Sequence, residues 1–257
     1  RAAAAGTDVV HHPLPAFAPR AGVAQVITVH DLAFATHPAG FDARFARWAR
    51  RAHRAAARRA DAVICVSETT AQQVRERWHV SAERIVVAHH GPGQPLPPVR
   101  PRAPEHVLYV GDDEPRKNLV LLRDAAERFT ALPLRVAGSA GEAVGPAELA
   151  ALYAGALALV QPSVAEGFGL APLEAMALGV PVVAVRAPAT EEVCGDAALY
   201  VGAGDPAELA ATLGRLRADP GLRAERAARG RERAALFDWQ ASARAHVEAY
   251  EKALSRH

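Results

Sequence analysis

Residues 157–185 read LALVQPSVAEGFGLAPLEAMALGVPVVAV, and this stretch decides the fold. The run 157–161 is apolar throughout rather than alternating, as expected of a parallel strand covered on both faces. Pro162 and Ser163 end it, and a Gly-x-Gly loop (Gly167, Phe168, Gly169) leads into a helix over 170–178. Another apolar strand follows over 182–185. Glycines at such a turn let the backbone approach a ligand closely. The amides of the helix N-terminus are a natural seat for phosphate. Glu166 stands before this helix and Glu174 a turn into it, so both carboxylates can face one ligand and accept hydrogen bonds from sugar hydroxyls. The plainer alternative is a helix-capping Glu166 and a solvated Glu174.

The same alternation extends in both directions. Strands are expected over 8–11, 25–29, 62–66, 85–88, 107–110, 134–137 and 198–201 as well. Helical patterns fill 42–60, 69–78, 119–130 and 147–154. Repeated strand–helix–strand order argues for parallel sheets flanked by helices. Residues 91–104, GPGQPLPPVRPRAP, hold six prolines and can continue neither a helix nor an inner strand. They separate two α/β halves, and an extended linker of this kind would leave a cleft for a ligand between them. The expected organisation is a first lobe over 1–91, a linker over 92–104, a second lobe over 105–236 and a terminal helix over 237–257 that packs back on the first lobe. Asp219 before Pro220, and Asp238 before Trp239, read as helix N-caps.

Composition narrows the function. The 257 residues carry 30 lysines and arginines against 28 acids, a net charge of +2, which gives no ground for nucleic-acid binding. Cys65 and Cys194 are far apart and read as buried thiols, which fits a reducing compartment, the cytoplasm. No apolar run approaches the length of a membrane span, and no secretory leader is read at Arg1. The pairs His11–His12 and His89–His90 suggest metal at first sight, but adjacent residues of a strand point to opposite faces. With no Asp-x-Asp loop either, no metal is expected.

Arg116 and Lys117 follow Gly111 at the C-terminal edge of a strand, where open α/β sheets bind ligands. Two cations there would neutralise a diphosphate and stabilise a departing phosphate, although basic residues at a helix start are common on plain surfaces. His30 ends an apolar strand, where a histidine is more often structural than catalytic. Arg44, Arg47, Arg51, Arg54 and Arg58 recur every three or four residues, within about 80° of one helix face at 100° per residue. That face is either simply solvated or a contact for anionic lipid or a polyanionic acceptor.

The Glu-x7-Glu stretch, Glu166 to Glu174, followed by AMALGVPVV, resembles the donor-site signature of the retaining glycosyltransferases of family 4, which have the GT-B fold of two Rossmann-like lobes. The segments VLYVGDDEPRKN (107–118), VITVHDL (26–32), ADAVICVSE (60–68) and His90-Gly91 resemble further motifs of that family in the same order. The resemblance implies a nucleotide-sugar hexosyltransferase using a UDP- or GDP-sugar as donor and no cofactor. In it Lys117, with Arg116, would contact the diphosphate and Glu166 the hexose. Glu174 would hold the ribose, and His30 would face the donor sugar. Gly111 and the amides of Gly167, Phe168, Gly169 and Leu170 would complete the donor site. The Glu-Pro-Arg-Lys-Asn variant points toward mannosyltransferase-like members and GDP-mannose. The acceptor would be a saccharide or lipid-linked hydroxyl.

Two departures stand against the pattern. Relatives carry further strands and a glycine-rich loop ahead of Asp8. They also fit a helix and a strand where this chain has only Ser139 to Gly145. The first lobe is therefore read as incomplete. Natural loss would leave an exposed strand edge, so segments of the protein outside this sequence are the favoured explanation. Two rivals remain, an inactive GT-B-like binding subunit and another nucleotide-sugar enzyme such as an epimerase. The first should have lost one of His30, Lys117, Glu166 or Glu174, and the second the glutamate pair.

Overall fold

The computed structural model describes residues 6–14, 22–93, 95–99 and 102–257. The expected linker therefore falls partly outside the described residues, at 94, 100 and 101. By its internal packing the chain divides into two compact units, Arg1–Gly91 with Asp238–His257, and Pro92–Phe237.

The first unit is built on a parallel sheet in the order β1 (Val9–His12), β2 (Ala24–Val29), β3 (Ala62–Cys65), β4 (Ile85–Val87). All of β2 and β3 is buried; β3 is an unbroken apolar run, and β2 is apolar but for the buried Gln25 and Thr28. A short helix α1 (Ala33–Thr36) precedes α2 (Ala43–Arg59), where the Asp42 carboxylate accepts from the amides of Arg44 and Phe45. This N-cap satisfies two donors that the helix itself leaves open. Helix α2 turns Ala46, Ala49, Ala52, Ala56 and Ala57 inward. Arg84 donates to the carbonyls of Ala57 and Ala60 and so closes the C-terminal end of α2. Ser67 caps α3 (Glu68–Trp78), and His79 ends it in the left-handed conformation at φ 56°.

The second unit holds a five-stranded parallel sheet in the order β6–β5–β7–β8–β9. In chain order these are β5 (His106–Val110), β6 (Leu134–Ala137), β7 (Ala156–Gln161), β8 (Val182–Val185) and β9 (Leu199–Val201). Helices α4 (Leu119–Arg128), α5 (Pro146–Ala154), α6 (Leu170–Ala177), α7 (Pro188–Cys194), α8 (Pro206–Ala218) and α9 (Pro220–Ala234) connect and flank them. Leu121, Leu122 and Ala125 of α4 and Leu209, Leu213 and Leu216 of α8 pack with Val107, Tyr109 and Val160 in one core. Asp205 and Asp219 cap α8 and α9 through their carboxylates, each with proline at the first helical position. From β5 the chain steps to β6, then returns to β7 on the other side of β5. The loops after β5 and β7 therefore diverge, and their strands form the switch point at which open α/β sheets bind ligands.

Strand β6 lies at the sheet edge. Residues 139–145, expected to be too few for a helix and a strand, form neither. They turn back on the edge instead: Glu142 N donates to Val136 O at 3.2 Å, and Gly138 N to Glu142 O at 3.0 Å. Part of the open edge is thus covered by its own loop.

The last helix, α10 (Trp239–Leu254), is capped by Asp238 and belongs to the first unit. Its Ala249 and Ala253 are fully buried against Ala24, Val26, Ala62, Ile64 and Val86. Small residues on this face let the helix lie close on the sheet.

Candidate functional site

Within the second unit the loops leaving β5 and β7 meet around one carboxylate. The chain leaves β5 at Gly111, whose amide donates to Ala137 O at 3.0 Å and whose carbonyl accepts from Ala140 at 3.1 Å. A 3-10 turn, Pro115–Lys117, then delivers the two cations, and Asn118 ends it in the left-handed conformation at φ 53°. The Asn118 side chain donates to Ala203 O at 2.9 Å, tying this loop to the one between β9 and α8.

Glu166, on the loop after β7, accepts from Lys117 Nζ at 2.8 Å, from Arg116 Nη1 at 3.1 Å and from Gln161 Nε2 at 2.7 Å. Arg116 also donates through Nε to Glu114 at 2.7 Å and through Nη1 to the Ala165 carbonyl at 3.1 Å. The backbone joins the two loops too, with Val164 N donating to Arg116 O at 2.9 Å. The side chains of Arg116, Lys117 and Glu166 are only 12%, 14% and 8% exposed, so solvent screens this pairing less than a surface salt bridge, and removing one partner would leave a buried charge uncompensated. Burial, with the Glu166 carboxylate next, pushes the Tyr109 phenol up; it stays protonated and donates to Asp112 O at 2.8 Å.

Gly169 opens α6 at φ +115°, a conformation that side chains rarely adopt, and no side chain caps this helix. Its first-turn amides are thus directed out of the N-terminus beside the Glu166 loop. Gly167 lies on the same turn. The Phe168 ring is 5% exposed and packs edge-on against Phe237 at 5.8 Å between centroids, so this residue offers a ligand only its backbone. Leu170 is 41% exposed. One turn on, the Glu174 carboxylate accepts from the Tyr153 hydroxyl at 2.8 Å. Burial, reinforced by Glu174, raises the Tyr153 phenol well above its ordinary range, so it remains a donor. Gly93 lies so close that a Cβ there would collide with Glu174 Oε1.

The structure thus joins Arg116, Lys117 and Glu166 directly and places Gly111, Gly167 to Leu170 and Glu174 on the same unit. His30 belongs to the first unit, where its Nε2–H donates to Pro13 O at 3.0 Å and its ring stacks on His90 at 6.2 Å. Two contributors were not anticipated from the sequence. Gln161 had a legible signal, a polar residue closing a buried apolar strand. Tyr153, in the helical pattern LAALYA, had none. Among the described residues, no group of three or more histidine, cysteine or acidic side chains could hold a metal ion, and no helix is long and apolar enough to cross a membrane.

A parallel sheet with a basic turn and a Gly-x-Gly helix start at its switch point is an arrangement at which open α/β sheets bind ligands. Residues 1–92 match the family model described as Glycosyltransferase Family 4, and residues 94–219 match the one described as Glycosyl transferases group 1. The chain thus carries a glycosyltransferase family 4 domain followed by a glycosyl transferases group 1 domain, has two Rossmann-like lobes as in the GT-B fold, and is similar to mannosyltransferases. It is 27% identical over 282 residues to O-antigen chain mannosyltransferase B of Escherichia coli, covering 95% of this chain and 74% of the relative. It is 46% identical over 113 residues to the MMP α-(1→4)-mannosyltransferase of Mycolicibacterium hassiacum; that match covers 42% of this chain and only 28% of the relative. Sucrose-phosphate synthase from Thermosynechococcus elongatus has a similar fold, with a TM-score of 0.79 at 24% identity over 100% of this chain and 76% of that one. So does HepE of Anabaena, solved in complex with UDP-glucose, with a TM-score of 0.71 at 20% identity over 91% of this chain and 72% of that one.

Proposed function

We propose that the protein transfers a hexose from a nucleoside-diphosphate sugar to a hydroxyl acceptor with retention of anomeric configuration. The observation that carries this reading is the pairing of Glu166 with Lys117 and Arg116 at the switch point, beside the uncapped start of α6. In this reading the cations and the α6 amides receive the diphosphate and hold the charge that develops on it. They do so without a metal ion. Glu166 accepts hydrogen bonds from the hexose and Glu174 from the ribose. The bond from the anomeric carbon to the phosphate oxygen breaks, and its electron pair stays on that oxygen. The acceptor oxygen bonds to the same face of the sugar, and its proton passes to the departing phosphate.

GDP-mannose is the first donor to try, on the strength of the Glu-Pro-Arg-Lys-Asn turn and the mannosyltransferases among the relatives. UDP-glucose is the second, because HepE was solved with it. The acceptor class is a saccharide or lipid-linked hydroxyl. The two cysteines are buried and free, which suits a reducing compartment such as the cytoplasm. The test is incubation with each donor, following nucleotide release and the anomer of the first-formed product by proton NMR. Nucleotide release with an α-product from an α-linked donor is expected. A β-anomer formed first overturns retention, and no release from either donor overturns the activity.

A further inference from the structure

Helix α2 carries seven arginines among its 17 residues and no acidic one. All seven are exposed, and those at 44, 47, 51, 54 and 58 share the arc facing away from the buried alanines. None pairs with an acidic side chain among the described residues, and the nearby Asp42 carboxylate is engaged by the amides of Arg44 and Phe45. Like charges three and four residues apart on a helix repel. The arginines take no part in this packing: α2 is held by its buried alanines and by His53, which lies edge-on against Phe34 and Trp78.

The arc also has shape. A shallow depression of about 470 Å³ lies over Ala52 and Ala55, rimmed by Arg44, Arg47, Arg51 and Arg59 and walled by Trp48. Guanidinium groups around such a hollow match a phosphate group, which they can bind in bidentate fashion. Trp48 and Phe45 are each 46% exposed and lie side by side, 6.0 Å between centroids, along one margin of the arc. A soluble polyanion would engage the cations and leave these rings in water. A bilayer surface engages both, with phosphates on the guanidinium groups and rings at the acyl boundary.

We propose that the outward face of α2 docks the protein on an anionic lipid bilayer, seating a headgroup phosphate in the depression beside Trp48. The claim is independent of the Arg116, Lys117 and Glu166 cluster, which lies in the other unit.

The experiment is sedimentation of the full chain with phosphatidylcholine vesicles, with and without phosphatidylglycerol. Binding is expected only with phosphatidylglycerol, and release as salt shortens the reach of surface charge to a few ångströms. Affinity should fall about fivefold for each arginine neutralised, as in R47Q or R51Q, and far more for the R47E/R51E pair. Trp48→Ala should weaken vesicle binding while leaving binding of soluble polyphosphate unchanged. Melting curves and nucleotide affinity of these exposed-site variants should match the parent. Failure to sediment with phosphatidylglycerol vesicles, or sedimentation unaffected by R47E/R51E, overturns the proposal. Polyphosphate binding as tight as vesicle binding, with no effect of Trp48→Ala on either, assigns the face to a soluble polyanion and also overturns it.

Discussion

Replacing Glu166 by glutamine separates its two effects in the proposed site. The change keeps the shape and removes one negative charge beside Lys117 and Arg116. A diphosphate oxygen bound on the far side of Lys117 Nζ, at the 2.8 Å that Glu166 Oε1 keeps, would lie about 5 Å from that carboxylate oxygen. Two unit charges about 5 Å apart repel by about 3 kcal/mol at an effective dielectric of about 20. Solvent screening and relaxation at a partly open site bring this to on the order of 1 kcal/mol, or about fivefold in affinity. Glu166→Gln should therefore bind free GDP or UDP about fivefold more tightly. The same change leaves Lys117 and Arg116, 14% and 12% exposed, with less neutralisation, so the folded state should lose about 1–3 kcal/mol. Transfer should fall at least tenfold, because an amide accepts hydrogen bonds from the hexose more weakly than a carboxylate. Calorimetric titration, melting curves and a donor-turnover assay on one preparation read all three. Nucleotide affinity that is unchanged or weaker would refute the reasoning, because Glu166 would then support the anion rather than compete with it.

Tyr153→Phe removes the hydroxyl that fixes Glu174, and should weaken GDP or UDP binding about three- to tenfold, the net worth of about one ordinary hydrogen bond. A 2′,3′-dideoxy nucleotide should show no such loss; equal losses for both nucleotides would count against a ribose-holding Glu174. Gly169→Ala puts a side chain at φ +115° and should cost at least about 1 kcal/mol in stability, visible as a lower melting temperature. Burial holds His11 and His90 down at about 4, below the ordinary 6.5, so above 6.5 the unfolded chain binds no extra proton and their contribution to stability is complete. As the pH falls from 6.5 toward 4 the unfolded chain takes up protons that the folded one refuses, and stability declines. His11 bonds Tyr250 and His90 packs on Trp239, both on α10, so melting followed by tryptophan fluorescence should shift downward between pH 7 and pH 5. Burial pushes the thiols of Cys65 and Cys194 up to about 12, so neither should react with iodoacetamide at neutral pH until the protein unfolds.

Much of this architecture was legible because parallel strands buried on both faces leave an unmistakable apolar run. β6 and β8 fall where expected, and the other strand ends differ by a residue or so. The caps read at Asp219 and Asp238 follow from side-chain chemistry local to each helix start, and Asp42 and Asp205 cap their helices in the same way without having been read as caps. Helices α1 and α7 were not expected, being four and seven residues long and too short to show a period. The positions of Lys117, Arg116 and Glu166 could be read from their motifs, but their mutual pairing could not. It arises because β5 and β7 are neighbours in the sheet while 49 residues separate Lys117 from Glu166. The part of Tyr153 was hidden for the same reason, since the hydroxyl finds Glu174 only once α5 and α6 are folded onto the sheet.

Whether the second unit holds a nucleotide at Lys117 and Glu174 is decided by calorimetric titration of the full chain with GDP, UDP and NAD, with Lys117→Ala and Glu174→Ala alongside. Saturable binding of GDP or UDP is expected, weakened at least about tenfold by either substitution, with no binding of NAD. A folded protein that binds neither nucleotide, or binds one indifferently to both substitutions, would contradict it.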